Sequence, residues 1–269
     1  MDNKKKARRI VIIMIVMIAV VAALGAGLWI EEQSDEKNRQ QGADTLAKAV
    51  GERYTQIVQN TGETGVWAAY LENPADETGE TKAQAALKTV KSKTADSLSV
   101  TLMNTSGQVL MSTDGGQTGK NAGNTNALKQ LNTAGQVYSE LSVEKGLPVM
   151  VVSRPLIQGN DTIVGVLEIK SDLSALKNQV ADQLDSNMSF WIVDNNGKGL
   201  RLTAKAGWET ALRDLSKDKE GPSALAVGLE QQTWQESQGI LSYSMDGEQT
   251  KAAYKTIDSL GWAVVAGPR

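Results

Sequence analysis

The sequence contains no cysteine and no histidine, and only one of its 269 residues is phenylalanine. Without cysteine there is no disulfide framework, so the fold must rest on a buried core, which a chain of this length can supply. Without imidazole or thiolate, the usual ligands of zinc, copper and haem iron are missing. The same gaps remove Ser–His–Asp and Cys–His arrangements and the usual general base near neutral pH. The chain is therefore read as non-enzymatic, with no metal and no cofactor. An excess of basic over acidic charge is lacking outside the first residues. Lys4, Lys5, Lys6, Arg8 and Arg9 against Asp2 give residues 1–30 a net +4, leaving −7 for the rest of a chain whose formal net charge is −3. A mildly acidic main body does not present a phosphate-binding surface, so nucleic acid is not an expected partner.

One long apolar run is present. Residues 10–30 read IVIIMIVMIAVVAALGAGLWI and carry no charge. As a helix the run spans roughly 31 Å, the thickness of a hydrocarbon core. The basic cluster on its N-terminal side keeps residues 1–9 in the cytoplasm and sends the rest across. Trp29 suits the far interface, and Glu31 and Glu32 mark the return to water. A cleaved signal peptide is the competing reading, with Ala22, Ala23, Gly25 and Ala26 near a plausible cleavage point. The run is longer than the usual apolar region of such a peptide, which favours an uncleaved anchor.

Beyond the anchor, Ala43, Ala47, Val50, Tyr54 and Ile57 recur at spacings of 4, 3, 4 and 3, the signature of one helix face. This predicts a stalk helix over 31–62, packing on its own domain, on a second copy, or on both along different parts of its length. Residues 61–98 read as further helix, broken by the turn-rich NPADETGET. A strand pattern follows, with a hairpin at Thr105-Ser106-Gly107, two strands in GQVYSELSVEKGLPVMVVSRPLI, and another over 163–170. The pattern then repeats. SFWIVDNNGKGL (189–200) aligns without gaps on SVTLMNTSGQVL (99–110), and the segment 252–265 resembles the segment 151–169 in the order of its elements. The Asp194-Asn195-Asn196-Gly197 stretch fails the calcium-loop pattern, because its glycine comes too early and Lys205 stands where a glutamate is needed. It reads instead as a hairpin turn, as does Asp246-Gly247. The fold class is thus α+β: an N-terminal transmembrane helix, a stalk helix, and two tandem units over 63–182 and 183–269.

With SRPL…VGVLEIKSDLSAL, VDNNGKGL and the closing GEQTKAAYKTIDSLGWAVV, residues 31–269 resemble the double Cache sensor region of bacterial methyl-accepting chemotaxis receptors and membrane sensor kinases. The resemblance implies a dimeric extracytoplasmic receptor acting in signal transduction. Two PAS-like (Cache) units, each an antiparallel sheet flanked by helices, would stack along the long helix. A small molecule would bind in the membrane-distal unit and shift the helices at the membrane. The homodimer would form through the stalk helix. Members of that family usually carry another membrane span and an output module, and that span would be expected where Gly267-Pro268-Arg269 stand; a receptor fragment and a stand-alone sensor both remain open readings.

Amino-acid-binding members of that family carry a tyrosine, an arginine, a Trp-Tyr pair and a later aspartate. Here the loop GKNAGNTNALKQLNTAG has no arginine and no aromatic pair, and Lys170 stands in the aspartate's place. Charge complementarity then implies an acidic ligand. The candidate ligand contacts are Lys170, Tyr138, Arg154 and Trp67. Against each stands a plain alternative: an exposed strand lysine, a core tyrosine, a solvated arginine, and a tryptophan that fills the core. The functional alternatives are the sensor region of a histidine kinase or cyclic-dinucleotide enzyme, a membrane-tethered solute-binding protein, and an anchored serine–lysine hydrolase for which no motif is present.

Overall fold

The computed structural model describes residues 33–94, 96–122, 128, 136–184, 188–215, 237–245 and 248–268. The apolar segment 10–30, most of the loop GKNAGNTNALKQLNTAG and the Asp246-Gly247 turn lie outside them. Among the described residues no helix is long and apolar enough to cross a membrane.

A helix over residues 33–60, α1, opens the described chain. Two shorter helices follow, α2 (Gly65–Glu72) and α3 (Glu77–Lys93). The break between them is narrower than NPADETGET suggests, because α3 already begins at Glu77 and takes Gly79 into its first turn. Asp76 makes this possible by capping: its carboxylate accepts the Thr78 N–H at 3.0 Å, satisfying one of the donors a helix start leaves open. Glu77 and Glu80 in the first turn, with Lys91 and Lys93 in the last, complement the helix dipole.

Strands then build two antiparallel sheets. The first holds β1 (Ser97–Asn104), β2 (Val109–Ser112), β3 (Tyr138–Glu144), β4 (Leu147–Gln158) and β5 (Thr162–Asp172), in the spatial order β2-β1-β5-β4-β3. A 3-10 turn at Ser174–Val180 leads on. The second sheet holds β6 (Met188–Val193), β7 (Lys198–Thr203), β8 (Gly207–Trp208), β9 (Arg213–Asp214), β10 (Gln238–Met245), β11 (Glu248–Ile257) and β12 (Trp262–Pro268). Its order is β10-β11-β12-β6-β7-β8, with β9 on β7. Leaving out the two short strands, both sheets have one topology: a first hairpin, the last strand beside its first member, and the remaining two strands outward.

The repeat extends to individual atoms. Asn104 and Asp194, aligned positions in the two hairpins, each take the backbone N–H two and four residues on. For Asn104 these are Ser106 at 3.1 Å and Gln108 at 2.9 Å. For Asp194 they are Asn196 and Lys198, both at 2.9 Å. Gly107 and Gly197 follow at φ 84° and 71°, a region that side-chain-bearing residues avoid. Each turn carbonyl is then met by a returning strand or loop, Ala122 N–H on Gly107 and Leu215 N–H on Gly197, both at 2.8 Å.

Helix α1 lies along both sheets. Near its start, Glu36 pairs with Lys251 at 2.7 Å, and Gly42 sits so close to Phe190 that a Cβ would fall 2.5 Å from the ring. Near its end, Arg53 bonds Asp96 and Ser171. Ala43, Ala47, Val50 and Ile57 are buried and Tyr54 is packed against them, in one core with residues of both sheets. That face of the helix therefore packs on its own chain.

Candidate functional site

Opposite residues in an antiparallel ladder share a face of the sheet. In the first sheet Leu102, Val152, Leu167 and Ile169 turn toward the helices and belong to the shared core. The other face carries Ser99, Thr101 and Met103 from β1; Val166, Glu168 and Lys170 from β5; Val151, Ser153 and Pro155 from β4; and Tyr138 and Glu140 from β3. Its far end is apolar, where Met103, Val109 and Val166 cluster with Leu128 against them. The rest is polar, although Ser99, Thr101 and Ser153 on it are buried, and buried polar groups need hydrogen-bond partners.

Ser153 is the sharpest anomaly on this face. It is 1% exposed, lies directly between Tyr138 and Glu168 in the ladder, and its hydroxyl has no hydrogen-bond partner. Glu168 beside it is 12% exposed. Burial pushes its carboxyl above the ordinary glutamate value, against the pull of the Lys170 charge. Lys170 is ion-paired with Glu144 and lies 3.8 Å from Glu168. Burial alone would depress the Lys170 ammonium, but the bond to Glu144 and the charge of Glu168 outweigh it and hold the group above its usual value. Tyr138 donates to Glu140 at 3.0 Å and is kept protonated by burial and by that neighbouring carboxylate.

The face is also tied to the second sheet. Asn196 in the β6–β7 turn donates to the Tyr138 hydroxyl at 3.1 Å. Asp194, 2% exposed, accepts the Leu141 N–H of edge strand β3 at 3.1 Å through its second oxygen. Burial raises the Asp194 carboxyl despite three backbone donors that favour its ionised form.

Of the four residues singled out in the sequence, the structure brings Lys170 and Tyr138 onto this one face and puts the other two elsewhere. Arg154, between Ser153 and Pro155, points to the helices. It donates to the Val58 carbonyl at 2.9 Å and to Thr61 Oγ1 at 3.2 Å, closing the C-terminal end of α1 where carbonyls lack partners. Trp67 is 2% exposed, and its Nε1 donates to the Ala83 carbonyl at 3.1 Å. It floors a cleft of about 610 Å³ among α1, α2 and α3, with Gln59, Glu63 and Lys93 on the walls. The sequence reading passed over Ser153, Glu168, Glu140 and Glu144. The alternation of GVLEIK already places Glu168 on the same face as Lys170; nothing in the sequence marks Ser153 as unpartnered.

With a carboxyl, a hydroxyl, a phenol and a paired ammonium on one buried face, the arrangement can hold a small polar molecule by hydrogen bonds and charge. No family model and no curated protein matches the chain in sequence. Solved structures match it in fold. An extracellular ligand binding receptor from Desulfohalobium retbaense is 10% identical at a TM-score of 0.54; the match covers 82% of this chain and 38% of that one. The sensor domain of the Vibrio cholerae histidine kinase DctB is 14% identical at 0.53, covering 91% and 98%. The ligand-binding domain of the Pseudomonas aeruginosa amino acid chemoreceptor PctC, solved with GABA, is 17% identical at 0.57, covering 87% and 99%. The likeness is one of fold, and the two antiparallel sheets of this chain agree with the α+β class of two tandem units expected from the sequence.

Proposed function

We propose that this chain is the extracytoplasmic ligand-sensing region of a membrane chemoreceptor, anchored by residues 10–30 and binding a small molecule on the outer face of the first sheet. Residues 63–182 would form the membrane-distal unit and 183–269 the proximal one, since α1 meets the second sheet first as it leaves the membrane side. The observation that carries the reading is Ser153, a buried hydroxyl without a partner set between Tyr138 and Glu168. A buried polar group left unsatisfied costs about 1–3 kcal/mol, and a ligand that bonds it recovers that cost. The role is sensing without turnover.

Lys170 is engaged by Glu144 and Glu168 and so offers little charge to an acidic ligand. Glu168 sits beside the unpartnered Ser153 hydroxyl with Lys170 no closer than 3.8 Å, so an ammonium or amide donor fits better than a lone carboxylate. The GABA-bound chemoreceptor domain, similar in fold, makes small amino compounds the first ligands to try. The fold is equally that of a kinase sensor domain, and a histidine kinase is the alternative output.

The test is a thermal-shift screen of the full chain in detergent against amines, amino acids and carboxylic acids. A ligand at a hundred times its dissociation constant adds about 2.7 kcal/mol. Ser153→Ala and Glu168→Gln should each weaken a hit by about tenfold, or about 1.4 kcal/mol. A hit that survives both changes would move the site off this face, and a panel without hits would remove small-molecule sensing.

A further inference from the structure

We propose a second small-molecule site, for a carboxylate-bearing ligand, on the outer face of the second sheet around Trp191, Arg201 and Arg213. It is separate from the first-sheet face. Trp191 in β6 is 4% exposed, yet its Nε1 hydrogen has no hydrogen-bond partner. An indole nitrogen only donates, so what it lacks is an acceptor. Arg201 lies directly opposite Trp191 in the ladder, with its guanidinium carbon 5.4 Å from the centre of the indole ring. Arg213, from β9, brings a second guanidinium to the same ring, also at 5.4 Å.

Glu209 holds this pair in place. It bonds Arg213 through two contacts of 3.0 Å and stands 3.7 Å from Arg201. Two guanidiniums sharing one carboxylate beside a buried N–H select an anionic acceptor, and planar guanidinium matches carboxylate geometry. Val265 and Tyr254 continue the same face beside Trp191 and belong with it to one apolar cluster, which gives the carbon body of the ligand a wall. Arg213, with its side chain 45% exposed, marks the solvent side.

Trp262 shows that an orphaned indole N–H is not enough alone. Its Nε1 also lacks a partner, but the residue is wholly inside the shared apolar core, and among the described residues no guanidinium stands over its ring. Among the described residues, only at Trp191 do the missing acceptor and the cations coincide. The two sheets share one topology, and their outer faces hold different chemistry: a buried carboxyl and hydroxyl on the first, an indole donor and guanidiniums on the second.

The test is calorimetric titration of the full chain in detergent with acetate, propionate and benzoate, and with their amides, up to about 10 mM, the weak end of measurable affinity. At least one carboxylate should bind, with its amide about tenfold weaker or worse. Trp191→Phe keeps the ring and removes the donor; Arg213→Gln removes one cation at a largely exposed position. Each should weaken carboxylate binding by about tenfold while leaving the unfolding transition in place. Ser153→Ala on the first sheet should leave it unchanged. The proposal is overturned if none of the three carboxylates binds, if the amides bind equally, if Trp191→Phe has no effect, or if Ser153→Ala abolishes binding as well.

Discussion

Glu168 shows how one residue can set the pH behaviour of the fold. Burial raises its carboxyl in the folded state, so between the ordinary glutamate value and its folded value the native chain holds a proton that the unfolded chain has released. Stability from this group is therefore full at low pH and is lost as pH rises through the folded value. Asp194, raised by the same cause, adds a slope of the same sign. Glu168→Gln is expected to flatten the decline of unfolding free energy on the alkaline side of the usual carboxylate range, read by urea titration at a series of pH values. An unchanged slope would mean that Lys170 and Glu144 compensate the charge fully. Arg154 makes the opposite kind of prediction. Replacing it with methionine keeps the volume but removes the guanidinium bonds to the Val58 carbonyl and to Thr61; the Thr61 hydroxyl still donates to that carbonyl at 3.0 Å, so the expected cost in the same assay is about 0.5–1.5 kcal/mol. The sequence offered Arg154 and Lys170 on equal terms, as cations on strands. Only the fold separates them, because the face a strand residue takes depends on register.

At the scale of elements, most of the architecture was legible from the sequence. The 4, 3, 4, 3 spacing of α1 is the face that the structure buries, and the two hairpins aligned in sequence prove to be one turn built twice. A hairpin depends on a few local residues, so a short sequence carries it. The polar face of the first sheet was not legible, because it joins β1, β3, β4 and β5 across long separations. Pro155 is instructive here. A proline inside a strand argues against a central position, yet β4 lies between β5 and β3. The ladder resolves this, because β3 pairs with β4 only as far as Ser153 and Pro155 sits beyond its end. The contact of α1 with the second sheet is equally non-local. Gly42→Ala would set a Cβ 2.5 Å from the Phe190 ring, and overpacking of this kind typically costs about 1–3 kcal/mol. A lower urea midpoint with an unchanged slope is expected; a neutral result would mean that the helix slides along the sheet to make room.

For the molecule as a whole, a ligand bound on the first sheet could act at a distance only through what joins the two sheets. The two sheets share α1 and one core, and among the described residues they also meet through polar bonds at the β6–β7 turn. Asn196 bonds Tyr138, and Asp194 bonds the edge of β3. Tyr138 lies on the proposed ligand face and at this junction together, so a ligand that draws its hydroxyl away from Glu140 or Asn196 acts on the second sheet directly. A coupling of this kind requires that the ligand bind the two arrangements with different affinity. Hydrogen exchange can read it. Once a first-sheet ligand is in hand, its binding should change the protection of the Leu141, Asn196 and Lys198 amides, whose acceptor is Asp194. Tyr138→Phe should erase the change at Asn196 and Lys198 while affinity falls by no more than about threefold, under about 0.7 kcal/mol. If the amides respond identically in the variant, the signal does not pass through the turn. Helix α1, the only described element that spans both sheets toward the N-terminal side, would then be the remaining route, and crosslinks along residues 33–59 would be the place to look for it.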